Sequence, residues 1–434
     1  MTERIPCIRE GCTNTILPAT AAKTGGYCMP CKQEMEREEH RKYIEANRRD
    51  VNLYEGVHDP VEILKIMHTP HVRDPLIHYV PYERSQEQVY LSLSAEQQEA
   101  MADYAMELIR TDDVDTGKDI LLYLVCYHDI SLAAQIPELL EQEIYYPAIL
   151  YKSASAKVRD LLLQQVHTDD ENRNHILIML AYIGDEVVVE QFWQWKQSPP
   201  AWADQLYVKP EHYTFEAGWE LTEDGKRRDL FITPSYSLYK GDAKDGTIAP
   251  SSGVPIQMLQ SSSNSCPWCG TALTTLVALD VRHPALQNVS WQAEKLQIRT
   301  CINCSCYGVV YMETSPAGEP FWSSHNVIPV GMDHIDPENS FEPAPDAGDS
   351  FYIASEPRQA FHGSEWAMEP SLSQIGGHPG WVQDAAYPVC PCCSTTMKAV
   401  GQVDWAQIEE YGEGMYYMFL CEPCQMTAVT YQQS

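Results

Sequence analysis

Basic residues are scarce in this chain: 30 Lys and Arg stand against 61 Asp and Glu over 434 residues, a formal net charge of −31. Phosphate backbones are held by Lys and Arg, so direct nucleic-acid binding is excluded as the working function, and an acidic field steers basic proteins toward the surface instead. No apolar run reaches the length of about 18 residues that a membrane helix needs, and the opening Met1-Thr-Glu-Arg-Ile-Pro-Cys7 lacks the apolar stretch of a signal peptide. A soluble, cytoplasmic chain without membrane contact is therefore expected. Signatures of catalysis are missing as well. There is no His-Glu-x-x-His, no Gly-x-Ser-x-Gly and no Gly-x-Gly-x-x-Gly, so neither a zincin helix, nor a nucleophile elbow, nor a dinucleotide loop can be assembled. The chain reads as a binding protein, not an enzyme.

What is there in quantity is cysteine, 15 residues in all. Two stretches read almost alike: Cys266-Pro-Trp-Cys269-Gly-Thr-Ala-Leu-Thr-Thr-Leu-Val-Ala-Leu-Asp280 and Cys390-Pro-Cys-Cys393-Ser-Thr-Thr-Met-Lys-Ala-Val-Gly-Gln-Val-Asp404. Each is closed by a second Cys-x-x-Cys, Cys301/Cys304 and Cys421/Cys424, after which Val309 and Tyr311 lie over Val429 and Tyr431. This is an internally duplicated zinc ribbon, and the register ranks its thiols. Trp268 falls over Cys392 and Cys306 over Met426, so Cys392 and Cys306 have no counterpart and are set aside as non-ligands. Four cysteines per copy remain, the number that tetrahedral Zn²⁺ takes. A third quartet, Cys7, Cys12, Cys28 and Cys31, follows Gly25 and Gly26 into its second pair, where glycine lets the backbone turn tightly enough to aim both thiolates at one ion. Disulfides are the alternative. They suit small secreted domains, whereas Cys-x-x-Cys pairs in a long chain without a signal peptide are metal or redox sites, and every pair here has a second pair to close it. Three structural Zn²⁺ ions are expected, with no position left open for water or substrate.

The organisation predicts an α+β multidomain protein. Residues 1–50 hold the N-terminal four-cysteine zinc unit and a charged helix from Lys32 to Asp50, with Met35, Tyr43 and Ile44 as its few apolar residues. Residues 51–204 read as an α-helical array, either stacked hairpins similar to HEAT-type repeats, without a clean repeat consensus, or an ordinary helical bundle. Its marks are capping boxes at Ser94-Ala-Glu-Gln97 and Thr168-Asp-Asp-Glu171, further helices near 117–127, 131–142, 155–167 and 185–197, and a stop at Pro199-Pro200. Residues 205–434 read as the duplicated β-rich part. Glu223-Asp224-Gly225 is expected to turn a hairpin between Trp219 and Ile232, and Lys240–Ser265 and Asp336–Asp349 are read as linkers from their Gly, Ser, Asp and Pro content. Seven tryptophans, Trp193, Trp195, Trp202, Trp219, Trp366, Trp381 and Trp405, are core candidates. His58, His68, His71 and His78, interspersed with Asp59 and Asp74, could in principle form an acid/base or metal site, although such histidines are more often packing residues.

Ahead of the second ribbon runs Gln374-Ile-Gly376-Gly377-His378-Pro379-Gly380-Trp381-Val-Gln383-Asp384, then Tyr387-Pro-Val-Cys390. With the ribbon that follows, this resembles the YwqG-like family of bacterial β-rich domains over the C-terminal half, a family distantly similar to the programmed-cell-death-protein-2-like chaperones of a basic ribosomal protein. The N-terminal quartet also resembles the zinc finger of secondary-channel regulators of RNA polymerase, without their long coiled coil. The YwqG-like resemblance implies an immunity protein of a polymorphic toxin system: a non-enzymatic antitoxin that occludes a cognate, basic protein toxin with an acidic surface. It leaves two alternatives, a chaperone of a basic protein such as a ribosomal protein, and a zinc-dependent hydrolase, which would need a quartet with an open position. Acidic residues of the helical part, Asp112, Asp113, Asp115, Glu138, Glu141 and Glu143, are the candidates for steering such a partner.

Overall fold

The computed structural model describes residues 3–241, 253–329, 350–365, 372–408 and 412–433. The chain forms two compact units, Met1–Leu93 and Ser94–Ser434.

In the first unit, β1 (Ile5–Pro6) and β2 (Thr15–Ile16) pair antiparallel, and α1 (Pro18–Thr24) follows. Helix α1 ends at Gly25 in the left-handed conformation, φ 67°, where a side chain would be strained. Helix α2 (Met29–Asn47) starts directly after Cys28 and buries only Cys31. Such a helix has no core to hold it and relies on its own ladder and surface pairs, among them Glu38 with Arg41 and Lys42. The remainder is β3 (Arg49–Val51), α3 (Pro60–His68), β4 (Ile77–Tyr79) and α4 (Gln86–Leu91), with β3 and β4 parallel.

The second unit opens with α5 (Ala95–Arg110), α6 (Val114–His128), α7 (Ile136–Glu141), α8 (Ala156–Gln165), α9 (Arg173–Ile183) and α10 (Glu186–Gln197). The box at Ser94 forms in both directions, Gln97 N–H to Ser94 Oγ and Ser94 N–H to Gln97 Oε1. The box expected at Thr168 does not. Asp169 instead accepts the Asn172 N–H at 3.0 Å, and the buried Arg173, whose Nε donates to Val166 O at 2.8 Å, sets a later helix start. Helix α6 is buried almost all round, from Ile120 to Tyr127. The compact-unit boundary at Leu93/Ser94 divides the span 51–204: α3 and α4 fall in the first unit, and α5 to α10 share the second with the sheet.

The rest of the chain is β-rich: β5 (Trp219–Leu221), β6 (Arg227–Asp229), β7 (Tyr236–Gly241), β8 (Gly253–Ser265), β9 (Ala272–Asp280), β10 (Lys295–Thr300), the one-turn α11 (Ile302–Ser305), β11 (Val310–Thr314), β12 (Pro320–Trp322), β13 (Ser350–Ala354), β14 (Gln374–Ile375), β15 (Lys398–Asp404), β16 (Met415–Cys421) and β17 (Met426–Gln432). The hairpin turned at Glu223-Asp224-Gly225 exists, but its second strand is β6, three residues earlier than Leu230–Ile232. Eleven strands make one antiparallel sheet in the order β10-β9-β8-β13-β7-β14-β15-β16-β17-β11-β12. The stretch from Gly253 to Ser265, read from composition as linker, is strand β8, paired on both sides, with β9 and β13. Its serines and Gln260 sit at exposed or half-exposed positions while Met258 and Leu259 are buried, so polarity reflected a solvent-facing strand, not a loop. The acidic stretch Asp336–Asp349 lies outside the described residues.

Strand β16 shows how the core is layered. All seven of its residues are buried, and they alternate between two clusters: Tyr416, Met418 and Leu420 pack with Leu238, Leu276 and Ile353 on one face, while Met415, Tyr417 and Phe419 pack with Trp381 and Tyr387 on the other. A continuous apolar run of this length is what a strand covered on both faces requires.

Candidate metal centres

The sulfurs of Cys7, Cys12, Cys28 and Cys31, of Cys266, Cys269, Cys301 and Cys304, and of Cys390, Cys393, Cys421 and Cys424 form three groups, each with all atoms within 4.8 Å of one another. All 15 cysteines are free thiols. Cross-pair separations include 3.8 Å for Cys12–Cys28, 3.6 Å for Cys266–Cys304, 3.4 Å for Cys269–Cys301 and 3.6 Å for Cys393–Cys421. A tetrahedron of sulfurs around Zn²⁺ at about 2.3 Å has edges of about 3.8 Å, whereas a disulfide would bring a pair to about 2.05 Å. Each group is thus sized for one ion and could hold it with four thiolates.

The backbone explains the aim of the thiols. In the first ribbon, Cys266 N–H donates to Thr271 O at 2.7 Å and Gly270 N–H to Cys266 O at 2.9 Å; in the second, Cys390 N–H donates to Thr395 O and Ser394 N–H to Cys390 O, both at 2.9 Å. The turn needs a left-handed residue after the second cysteine, and Gly270 (φ 80°) and Ser394 (φ 60°) supply it. The two knuckles are the same loop built twice. The closing pairs differ: Cys301 stands at the N-cap of the one-turn helix α11 and Cys304 lies within it, while Cys421 ends β16 and Cys424 follows in a tight turn with Gln425 at φ 49°. At the N-terminus, Cys28 caps α2 and Cys31 lies in its first turn, so the helix dipole favours thiolate there. Cys28 N–H donates to Cys7 Sγ at 3.2 Å, and the Asn14 amide to Cys28 Sγ at 3.5 Å.

The thiols in each group pull one another apart in acidity. Cys28 is drawn down to about 6, first by the backbone of Cys31 and then by Asn14. Cys266 is drawn down to about 4 by the thiols of Cys301 and Cys304, and Cys393 to about 6 by the Thr395 hydroxyl. Their neighbours move the other way: Cys31 is pushed up to about 12 by Cys28 and burial, Cys424 to about 12 by burial and Cys393, and Cys304 and Cys421 rise as well. Four thiols this close cannot all ionise unaided, and a divalent cation at the centre is what would let them.

Cys306 and Cys392 stay outside the quartets, as the duplication's register required. Cys306 reaches the Ile302 carbonyl and Tyr416, and Cys392 reaches His325. Cys126 is fully buried in α6, which pushes its thiol up. The histidine-rich stretch is dispersed. His68 contacts the Tyr90 hydroxyl at 2.7 Å and Gln86 at 3.0 Å, His71 lies against Tyr79, His78 pairs with Asp50 at 2.8 Å, and Asp59 and Asp74 cap backbone N–H groups of Val61 and Leu76.

The Gly376–Trp381 segment is a buried strap. Gly376 and Gly377 have φ of 70° and 84°, and a Cβ on Gly376 would meet Pro234 O at 2.3 Å. Gly380 N–H donates to Gln402 Oε1, Val382 N–H to the Tyr417 hydroxyl, and that hydroxyl to Gly380 O. Trp381 lies against Tyr417 at 4.5 Å. Of the other core candidates, Trp195, Trp202, Trp219 and Trp405 are buried and Trp193 is half-buried; Trp366 lies outside the described residues. Sequence reasoning missed His325 and Trp322, which stand beside the knuckles but far from them in the chain.

These observations define an α+β protein with three four-cysteine groups, each able to hold a metal ion, and a near-closed antiparallel sheet. No helix among the described residues is long and apolar enough to cross a membrane. The chain is 39% identical over 438 residues to the "Uncharacterized protein YpfL" of Salmonella typhimurium, with 100% of each chain covered. It belongs to that protein's family. No family model and no solved structure matches it.

Proposed function

We propose that this chain is a non-enzymatic binding protein, braced by three structural Zn²⁺ ions, that takes a basic protein on its acidic surface, and that the partner is a cognate toxin which it neutralises. The observation that carries the reading is the excess of 31 acidic groups. A field of that size raises encounter rates with a basic protein by roughly 10 to 1,000-fold at low salt. The completeness of the quartets supports it from the other side, since four thiolates per ion leave no position for a substrate.

Not every candidate acid is free to steer. Glu138 is held by Arg110 through two bonds of 2.6 Å, and Asp115 by Lys118 at 2.9 Å. Asp112, Glu141 and Glu143 are exposed at helix ends and have no ion-pair partner among the described residues. They are the better probes.

Co-expression with the product of the neighbouring gene, then pull-down and stopped-flow binding across a salt series, tests the reading. Immunity requires rescue of cells from that product. It also requires an on-rate that falls steeply as the screening length shortens from about 30 Å at 0.01 M to about 8 Å at physiological ionic strength, with the off-rate less affected. The triple variant Asp112→Asn, Glu141→Gln, Glu143→Gln should lower the on-rate. A stable complex with a ribosomal protein and no rescue would replace the toxin by a chaperone client, and no complex with either would overturn the reading.

A further inference from the structure

The two ribbons are copies, so residues at the same place in each can be compared directly. In the first, Trp268 meets Trp322 edge-on with centroids 4.9 Å apart, and all four ligand cysteines are buried. In the second, the same place is Cys392. Here Cys392 and Cys393 are exposed and Cys424 is half-buried. The Cys392 sulfur lies 3.5 Å from His325 Nε2, and the Cys424 and Cys390 sulfurs are near enough to act on it. His325 is itself held, its backbone N–H donating to Ser323 Oγ at 3.2 Å while that hydroxyl donates to Glu313 at 2.8 Å. Where one copy carries an indole, the other carries a fifth thiol with an imidazole beside it, at the open rim of the centre.

We propose that Cys392 is the resolving thiol of an oxidant-responsive metal centre: a hydroperoxide oxidises the Cys424 thiolate, Cys392 closes a disulfide with it, and the ion is released. The proposal rests on the reading of the quartets as zinc sites. The Cys424 sulfur attacks the terminal oxygen of the hydroperoxide, the O–O bond breaks, and hydroxide leaves from hydrogen peroxide, or alkoxide from an organic hydroperoxide, giving the sulfenic acid, which is a poor metal ligand. The Cys392 sulfur then displaces the hydroxyl group, which departs as water with the thiol proton. Two electrons pass from the two sulfurs to one peroxide. Cys393 is the less suitable partner for Cys392, because neighbouring cysteines close a small, strained ring. Three ligands remain on an ion that needs four, so its hold is lost. The extra thiol of the Trp268-covered centre, Cys306, is turned instead to the Ile302 carbonyl at 3.4 Å and the Tyr416 hydroxyl at 3.8 Å, so that centre should keep its ion.

The test uses the full-length, metal-loaded chain. Metal content is measured first, and a chain holding no metal at this stage would sink the zinc reading before any oxidant is added. Hydrogen peroxide is then titrated in with a coloured chelator present, and the cysteines are mapped by peptide mass spectrometry. The expected result is one ion released ahead of the others together with a Cys392–Cys424 disulfide, reversed by dithiothreitol and added zinc. Cys392→Ser should start with the same metal content, form no disulfide at Cys424 and lose reversibility, Cys424 going on to sulfinic acid. Cys306→Ser should behave as the unsubstituted chain. Release from the Cys266 centre first, a disulfide joining Cys424 to another cysteine, or reversible release unchanged in Cys392→Ser would each overturn the proposal.

Discussion

Cys12→Ser should unfold residues 3–31 and leave the eleven-stranded sheet intact. The N-terminal quartet sits in a cluster whose buried members are Cys7, Ile16, Cys28 and Cys31, with Cys12, Ala21 and Tyr27 packed against it. Apart from thiols, the one buried aliphatic side chain of that cluster is Ile16, whose burial contributes about 1.5–3 kcal/mol. Ordering each backbone residue costs about 1–2 kcal/mol, so a segment of this length cannot be held by that core. A structural zinc site, by contrast, contributes on the order of 10 kcal/mol. The two ribbon centres differ because they sit on a sheet with its own extensive core. Hydrogen–deuterium exchange of the Cys12→Ser protein should therefore show lost protection in peptides from residues 3–31 and native protection in β15, β16 and β17, with one metal ion fewer per chain. Native protection of residues 3–31 in a variant that has lost that ion would refute the argument, because the apolar contacts would then suffice.

Two glycines, one in the first knuckle and one in the strap, and a buried histidine give the other tests. Gly270→Ala should cost only the left-handed backbone strain, about 1–2 kcal/mol, since nothing lies within 4 Å of its new Cβ. Gly376→Ala adds a 2.3 Å clash with the immobile Pro234 carbonyl and should exceed about 3 kcal/mol; equal losses in thermal midpoint would contradict the geometry. Burial draws the His378 imidazole from 6.5 down to about 4, and its Nε2–H donates to Glu216 O at 2.9 Å. The unfolded chain therefore binds a proton that the folded chain refuses between those values. Stability should fall as pH drops from 6.5 toward 4, by up to about 3 kcal/mol, and His378→Gln should flatten that part of the profile. Parallel profiles for the two proteins would show that His378 does not set it.

What the sequence made legible was whatever is written locally. The quartets were legible because a knuckle is a short loop with both ligands inside it, and the duplication separated ligands from bystanders by register alone. The Ser94 box and the stop at Pro199-Pro200, just past the end of α10, were legible for the same reason. Composition misled at Gly253–Ser265, where serine and glutamine marked the wet side of a strand whose partners, β9 and β13, no local pattern names. The Thr168 box failed because the buried Arg173, tied back to the Val166 carbonyl, dictated the helix start, a tertiary preference outweighing a local one. His325 was invisible because nothing in its neighbourhood points to Cys392.

The duplication also explains how so long a sheet avoids open edges. In the second copy, β16 and β17 pair with each other from Met415↔Gln432 to Cys421↔Met426. In the first copy the corresponding strands, β10 and β11, are not neighbours in the sheet; β11 pairs instead with β17, its own counterpart, through Val310↔Val429 and Tyr311↔Ala428. That exchange joins the copies into one sheet and leaves β10 and β12 as its two ends. A row of unpaired backbone groups at such an end would template aggregation. Here side chains from β10 satisfy the backbone next to β12: Gln297 Nε2 donates to Gly318 O at 3.3 Å and Arg299 Nη1 to Pro320 O at 3.1 Å, while Arg299 Nε reaches Thr275 Oγ1 at 3.1 Å. Arg299 is buried, so its charge is kept there at a desolvation cost that lowers its pKa. A residue that costs this much to bury and touches both ends of the sheet is best understood as the clasp that closes them.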